Sequence, residues 1–308
     1  MKKNVKFLII VLILLSFLLN WDEGLANSSI ISVFIDNPDE GTIVGGIISN
    51  DTDWNLQGSP YIFSSDVQVD ENITLTVDPG VQIIGDNYVL QIWGTLDVKG
   101  SNDSKVSFKD TRIGAGINGT ATYLIDIKHA TINGGGIYGL VRNRYGILNL
   151  TDSQIENTTT FINIDYPVSD CKIERNIFIN SEGIRVGLDN EIQVVIRNNL
   201  FYEQTGGFAI ENWATYGGKE NMIVENNSFL STNKIALYLR EMSNPVGMTA
   251  THNFWNTTND EVIDNMIFDR NDNLEISDYI NPYPILNEPH PDTPELSISN
   301  YYLPIVIK

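Results

Sequence analysis

One short phrase, written four times between residues 173 and 255, limits what this chain can become. Residues 173–178 read IERNIF, 196–201 IRNNLF, 224–229 VENNSF and 250–255 ATHNFW. Each copy places an aliphatic or small residue three before an Asn and an aromatic two after it, and Asn176, Asn199, Asn227 and Asn253 lie 23, 28 and 26 residues apart. Self-similarity at that period predicts a stack of coils in which each unit buries its apolar face against its neighbours. Phe178, Phe201, Phe229 and Trp255 are expected to form one internal column. The four Asn are expected to turn the corners, because Asn tolerates left-handed backbone, and to hydrogen-bond from coil to coil as a ladder.

Upstream of the phrase the same architecture is written as alternation. Val67 and Val69, Leu75 and Val77, Val81 and Ile83, Leu90 and Ile92, Leu96 and Val98, and Val106 and Phe108 give period two in short runs, and Gly, Asp, Asn and Pro separate them. That pattern predicts strands joined by tight turns. No helical segment of useful length follows the amino-terminal apolar run. The Gly-rich stretch 114–149 leaves its strand register open, and Asn157 is a less regular member of the ladder. A period of about 25 residues would divide the chain into roughly nine or ten coils.

These residues resemble the right-handed parallel β-helix proteins of the pectate-lyase-like superfamily. The segments ITLTVDPG at 73–80 and GTLDVKG at 94–100 are similar to the opening coils of many secreted bacterial proteins of that fold. The run from Asn253 through Asp272 is similar to their closing segment, a short helix followed by an Ile-x-Asp element. The expected fold is all-β, a single-stranded right-handed parallel β-helix, or solenoid, with an N-terminal cap and a C-terminal capping segment. The expected divisions are a signal peptide at 1–26, a cap at 27–60, the helix at 61–255, the C-terminal cap at 256–287, and a Pro-rich linker with an apolar tail at 288–308.

Lys2, Lys3 and Lys6 precede the apolar run Phe7 to Leu19, which is short for a bilayer span. The segment reads as a secretory leader, giving an extracellular or cell-surface protein with no membrane span in the mature chain. Cys171 is the only cysteine, so no internal disulfide forms. The net charge is −20, and without residues 1–26 there remain 16 Lys plus Arg against 37 Asp plus Glu. Such a field repels phosphate backbones and argues against nucleic acid. Calcium is the cation it could take. The expected unit is a monomer.

Alternation sends one row of side chains outward from the strands that follow each aromatic. Arg185, Glu211 and Tyr238 fall in that row, Asp165 extends it, Arg240 ends it, and Phe208 is expected to point inward. The longest coil carries its excess in residues 211–221, which include Trp213 and Tyr216, and these are expected to overhang the row as a loop. Asp165, Arg185, Glu211, Trp213, Tyr216, Tyr238 and Arg240 are therefore the candidate ligand-binding residues, since aromatic faces beside carboxylate and Arg suit sugar rings.

Hydrolases of the resembled superfamily carry an Asn-Thr-Asp phrase, a paired Asp-Asp and a Gly-His-Gly phrase. Here there is no Asp-Asp pair, and none of His129, His252 and His290 is flanked by Gly. Its lyases pair an acidic calcium cluster with a basic residue, a part open to Arg185 or Arg240 only if Asp165 and Glu211 gathered calcium. Asp269, Asn271 and Asn273 imitate the start of a calcium loop, but Leu274 stands where Gly is needed. Three readings stay open: binding of carbohydrate or another extracellular ligand without turnover, which the residues favour; a calcium-dependent polysaccharide lyase or other polysaccharide-degrading enzyme; and a passive surface rod.

Overall fold

The structure, a computed structural model, describes residues 41–115, 122–138, 146–189, 191–241 and 244–296. The leader, residues 27–40 of the expected cap and the tail at 301–308 lie outside them. The described chain is a parallel β-solenoid of about eight turns, and every strand pair in it is parallel. That is fewer than the nine or ten coils expected, because the segment after Trp255 closes the far end of the stack instead of adding turns.

Each coil contributes a strand to each of three faces. Face A runs from Thr52–Trp54 through Thr95–Lys99, Gly146–Thr151 and Cys171–Glu174 to Met222–Glu225. Face B includes Gln82–Ile84, Val106–Lys109, Ile177–Ile179 and Leu200–Tyr202. Face C begins with Val89–Ile92, Arg112–Ala115 and Gly136–Tyr138. It continues through Ile162–Asp165, Ile184–Leu188, Phe208–Thr215 and Ile235–Leu239 to Ile267–Phe268. Strand Tyr61–Val69 rounds the corner between B and C, pairing with both. Residues 116–121 and 139–145 of the Gly-rich stretch, whose register the sequence left open, lie outside the described residues; of the rest, Tyr123–Lys128 pairs with Thr95–Lys99 and Gly146–Thr151 on face A.

Alternating apolar residues fill the interior. Leu75, Ile83, Leu90, Leu96, Phe108 and Ile113 are fully buried. In the later coils Phe178, Phe201, Phe229 and Trp255 form the expected column, with successive ring centroids 4.7, 5.4 and 5.1 Å apart. The strand spacing of a parallel sheet sets that repeat, so identical positions in successive coils stack ring on ring.

The Asn ladder is present, one residue away from the corner conformation. Asn199 Oδ1 accepts from the backbone N–H of Asn176 at 2.9 Å and from its Nδ2 at 3.0 Å, and Asn199 Nδ2 donates to the Ile173 carbonyl at 2.8 Å. The same set joins Asn199 to Asn227 and Asn227 to Asn253. All four Asn are buried, and Ser153 continues the row by accepting from Ala130 N–H and donating its own N–H to Asn176. The left-handed residues are the ones before them, Arg175, Asn198, Asn226 and His252, with φ between 55° and 59°. The ladder Asn is thus selected for its amide, and its neighbour bends the chain. Asn157 belongs to a different, exposed corner at φ 53°, where Asn180 donates to it at 2.8 Å.

At the start, Thr42–Ile48 pairs with Tyr61–Val69 and extends the stack by one strand. At the end, the five-residue helix Asp260–Asp264, capped by the Asn259 side chain, and the buried Ile263, Met266, Ile276 and Ile280 close the core. The Pro-rich segment then lies along the corner between faces A and B. Leu286 N–H reaches the Asn253 carbonyl, His290 meets Asn198 at 2.8 Å, and Thr293 Oγ1 donates to Asn226. Among the described residues no helix is long and apolar enough to cross a membrane.

Candidate functional site

The outer surface of face C carries the predicted row. Register places Asn163 beside Arg185, Arg185 beside Glu211, Glu211 beside Tyr238, and Tyr238 beside Phe268. Glu211 points outward, yet its side chain is completely buried, because neighbours cover it. Its Oε2 accepts from Arg185 Nε at 2.5 Å and its Oε1 accepts from Arg240 Nε. Arg185 lies over the Phe161 ring, 4.1 Å from guanidinium carbon to centroid. A buried carboxylate is costly to keep charged unless paired, and here both of its oxygens are.

Phe208 departs from the expected inward placement. It stacks on Phe161 at 5.1 Å and on Tyr238 at 5.5 Å, and Tyr238 stacks on Phe268 at 4.9 Å, so a second aromatic column runs up the outside of face C. These rings cover one another's faces alongside the buried Glu211. Burial, with the Glu211 charge adding to it, pushes the Tyr238 hydroxyl above its ordinary pKa.

Residues 211–221 also differ from expectation. The excess is mostly strand, since Phe208–Thr215 continues where a loop was predicted. Register shifts there: Val186 faces Asn212 and Gly187 faces Ala214, which leaves Trp213 as the extra residue of a β-bulge. The bulge lays the indole over Gly187, where a Cβ would come within 2.4 Å of the ring. Trp213 Nε1 donates to Asp165 Oδ1 at 3.0 Å, and Tyr166 meets the ring edge-on at 5.1 Å. Trp213 keeps part of its surface in solvent. Burial pushes the Asp165 carboxyl above its ordinary range, and the Trp213 N–H, Arg185 and Arg240 only partly offset this.

Six of the seven candidates are linked here: Asp165, Arg185, Glu211, Trp213, Tyr238 and Arg240. Tyr216 is exposed and donates its hydroxyl to Asn244 Oδ1 at 2.6 Å. Sequence reasoning missed Phe161, Tyr166, Gly187 and Asn212. Gly187 carried a readable signal, because glycine inside a strand marks a bulge or a close approach. Asn212 is fully buried and accepts from Thr215 Oγ1 and Gly247 N–H, anchoring the bulge from inside.

Calcium does not fit this donor set. Glu211 has both oxygens on guanidiniums and Asp165 has one on an indole, whereas calcium needs 6–8 oxygens. Among the described residues no group of three or more His, Cys, Asp or Glu is arranged to hold a metal. The loop at 269–273 uses its carboxylates on backbone: Asp269 accepts from Asn271 and Ile280 N–H at 2.7 Å each, and Asp272 accepts from Asp269 N–H. Comparison of the chain with family models, with curated proteins and with solved structures finds no match.

Proposed function

We propose that this chain is a secreted protein akin to the pectate-lyase-like β-helix proteins, and that it holds an extracellular carbohydrate on face C without cleaving it. The observation that carries the reading is the bulged Trp213, seated on Gly187 and fixed by Asp165 while part of its surface stays in solvent. A preorganised aromatic surface beside charged hydrogen-bonding groups suits a sugar ring, since ordering it costs nothing further at binding. The neighbouring carboxylates support binding over hydrolysis. Inverting hydrolysis needs one carboxylic acid and one carboxylate flanking a water, and Glu211 is tied to two Arg.

The test is titration calorimetry of the mature chain against a panel of soluble oligosaccharides, repeated with Trp213→Ala. Loss of the indole is expected to weaken binding about tenfold or more, roughly 1.4 kcal/mol. Unchanged affinity would refute the reading. Release of unsaturated, ultraviolet-absorbing product would replace it with a lyase.

A further inference from the structure

We infer that Arg185 and Arg240, held together by Glu211, form a fork that recognises one isolated anionic group, a carboxylate or a sulfate, on the ligand of face C. The inference rests on the binding reading above and adds the ligand's chemical class. The two guanidiniums grip opposite oxygens of one buried carboxylate, and each does so through Nε. Neither terminal amino edge has a hydrogen-bond partner among the described residues, although the side chains are only 26% and 34% exposed.

Arg175 shows the contrasting arrangement. It spends Nε and both terminal nitrogens on Asp152 and Glu174, and so is saturated by the protein itself. The face C pair is fixed at its inner side, by Glu211 and by Phe161 beneath Arg185, and left open at its outer side. Two guanidinium edges held in place match the planar oxygens of a carboxylate or the tetrahedral oxygens of a sulfate, and the ordering cost is already met by the fold.

Charge balance limits the fork to one such group. Arg185 and Arg240 are offset by Glu211 and by Asp165, which interacts electrostatically with both Arg, and the chain as a whole carries −20. One anion gains charged hydrogen bonds that outweigh this background, but a dense polyanion has no surplus positive charge to meet its further groups.

The experiment compares three probes on the full mature chain: a neutral oligosaccharide, the same oligosaccharide bearing one carboxylate or one sulfate, and a polyuronate. The singly charged form is expected to bind about tenfold more tightly than the neutral one, the scale of a hydrogen bond to a charged group. Arg240→Gln is expected to bring that ratio to about one, and Arg240→Lys, which keeps the charge without the planar fork, to an intermediate value. The carboxylate and sulfate arms decide between the two sources of charge. Equal affinity for neutral and charged forms in the parent overturns the fork, as does a ratio that survives Arg240→Gln or a polyuronate that binds tightest. If Trp213→Ala abolishes binding of both forms, and they bound the parent equally, the carbohydrate reading stands and the fork falls. A charge preference lost in Arg240→Gln but kept in Trp213→Ala upholds the fork and removes the indole from the site. Binding of none of the probes removes both.

Discussion

Trp213 reaches past Gly187 on the adjacent coil to give its indole N–H to Asp165 on the coil beyond, at 3.0 Å. One side chain thereby ties three successive coils on the outside of face C, where stacking alone joins only nearest neighbours.

Gly187 is the seat of that tie. In Gly187→Val the new side chain would occupy the space of the indole, since even a Cβ falls within 2.4 Å of it. The expected result is ejection of Trp213, a red shift of its fluorescence relative to a Trp213→Phe control, and a stability loss of about 1–3 kcal/mol by urea unfolding. A variant with parental emission and stability would mean that the ring has another resting place.

The buried ladder Asn and the Asn at the exposed corner are expected to respond very differently. Asn199→Ala takes the acceptor from the Asn176 N–H and Nδ2, the donor from the Ile173 carbonyl and one of the donors from Asn227 Oδ1, all in a buried corner, and should cost about 3–5 kcal/mol. Asn157→Gly, at the exposed left-handed corner, should stay within about 0.5 kcal/mol, because glycine accepts that backbone freely. Equal losses at the two sites would contradict the separation of ladder from corner.

Glu211 holds two cations from a fully buried position. Glu211→Ala leaves them facing each other and is expected to destabilise by about 3 kcal/mol, toward the low end for buried pairs because both Arg are partly exposed. Lys99→Ala breaks an exposed pair with Asp97 and should leave stability essentially unchanged. Thermal unfolding of the two variants side by side measures the difference.

Asp165 gives a pH signature of opposite sign to that of an ordinary salt-bridged carboxylate. Burial raises its pKa in the folded state, so the native chain holds this proton to a higher pH than the unfolded chain does. Stability from this group is therefore greatest at low pH and is lost as pH rises through the raised value. Asp165→Asn keeps an acceptor for Trp213 and removes the charge. It is expected to be at least as stable as the parent at pH 7, with the advantage shrinking toward pH 4. An advantage that grows on acidification would reverse the assignment.

Cys171 is fully buried on face A, and burial pushes its thiol up to about 11. A thiolate reagent should leave it unmodified in the native chain at pH 8 and label it fully in denaturant. Rapid native labelling would show that this part of the sheet opens.

The repeated phrase was enough, by itself, to specify the stacked parallel coils, the column of Phe178, Phe201, Phe229 and Trp255, and the Asn ladder. Each is a contact between equivalent positions in neighbouring coils, so a period in the sequence becomes a column in space. Tertiary structure decided the rest: that Phe208 turns outward to stack on Phe161, that the longest coil bulges at Trp213 where a loop was expected, and that Glu211 is shared by Arg185 and Arg240. Those contacts depend on where the register slips between coils and on how side chains lean across the sheet. A one-residue slip exchanges the two faces of a strand, and alternation read along a single strand does not report it.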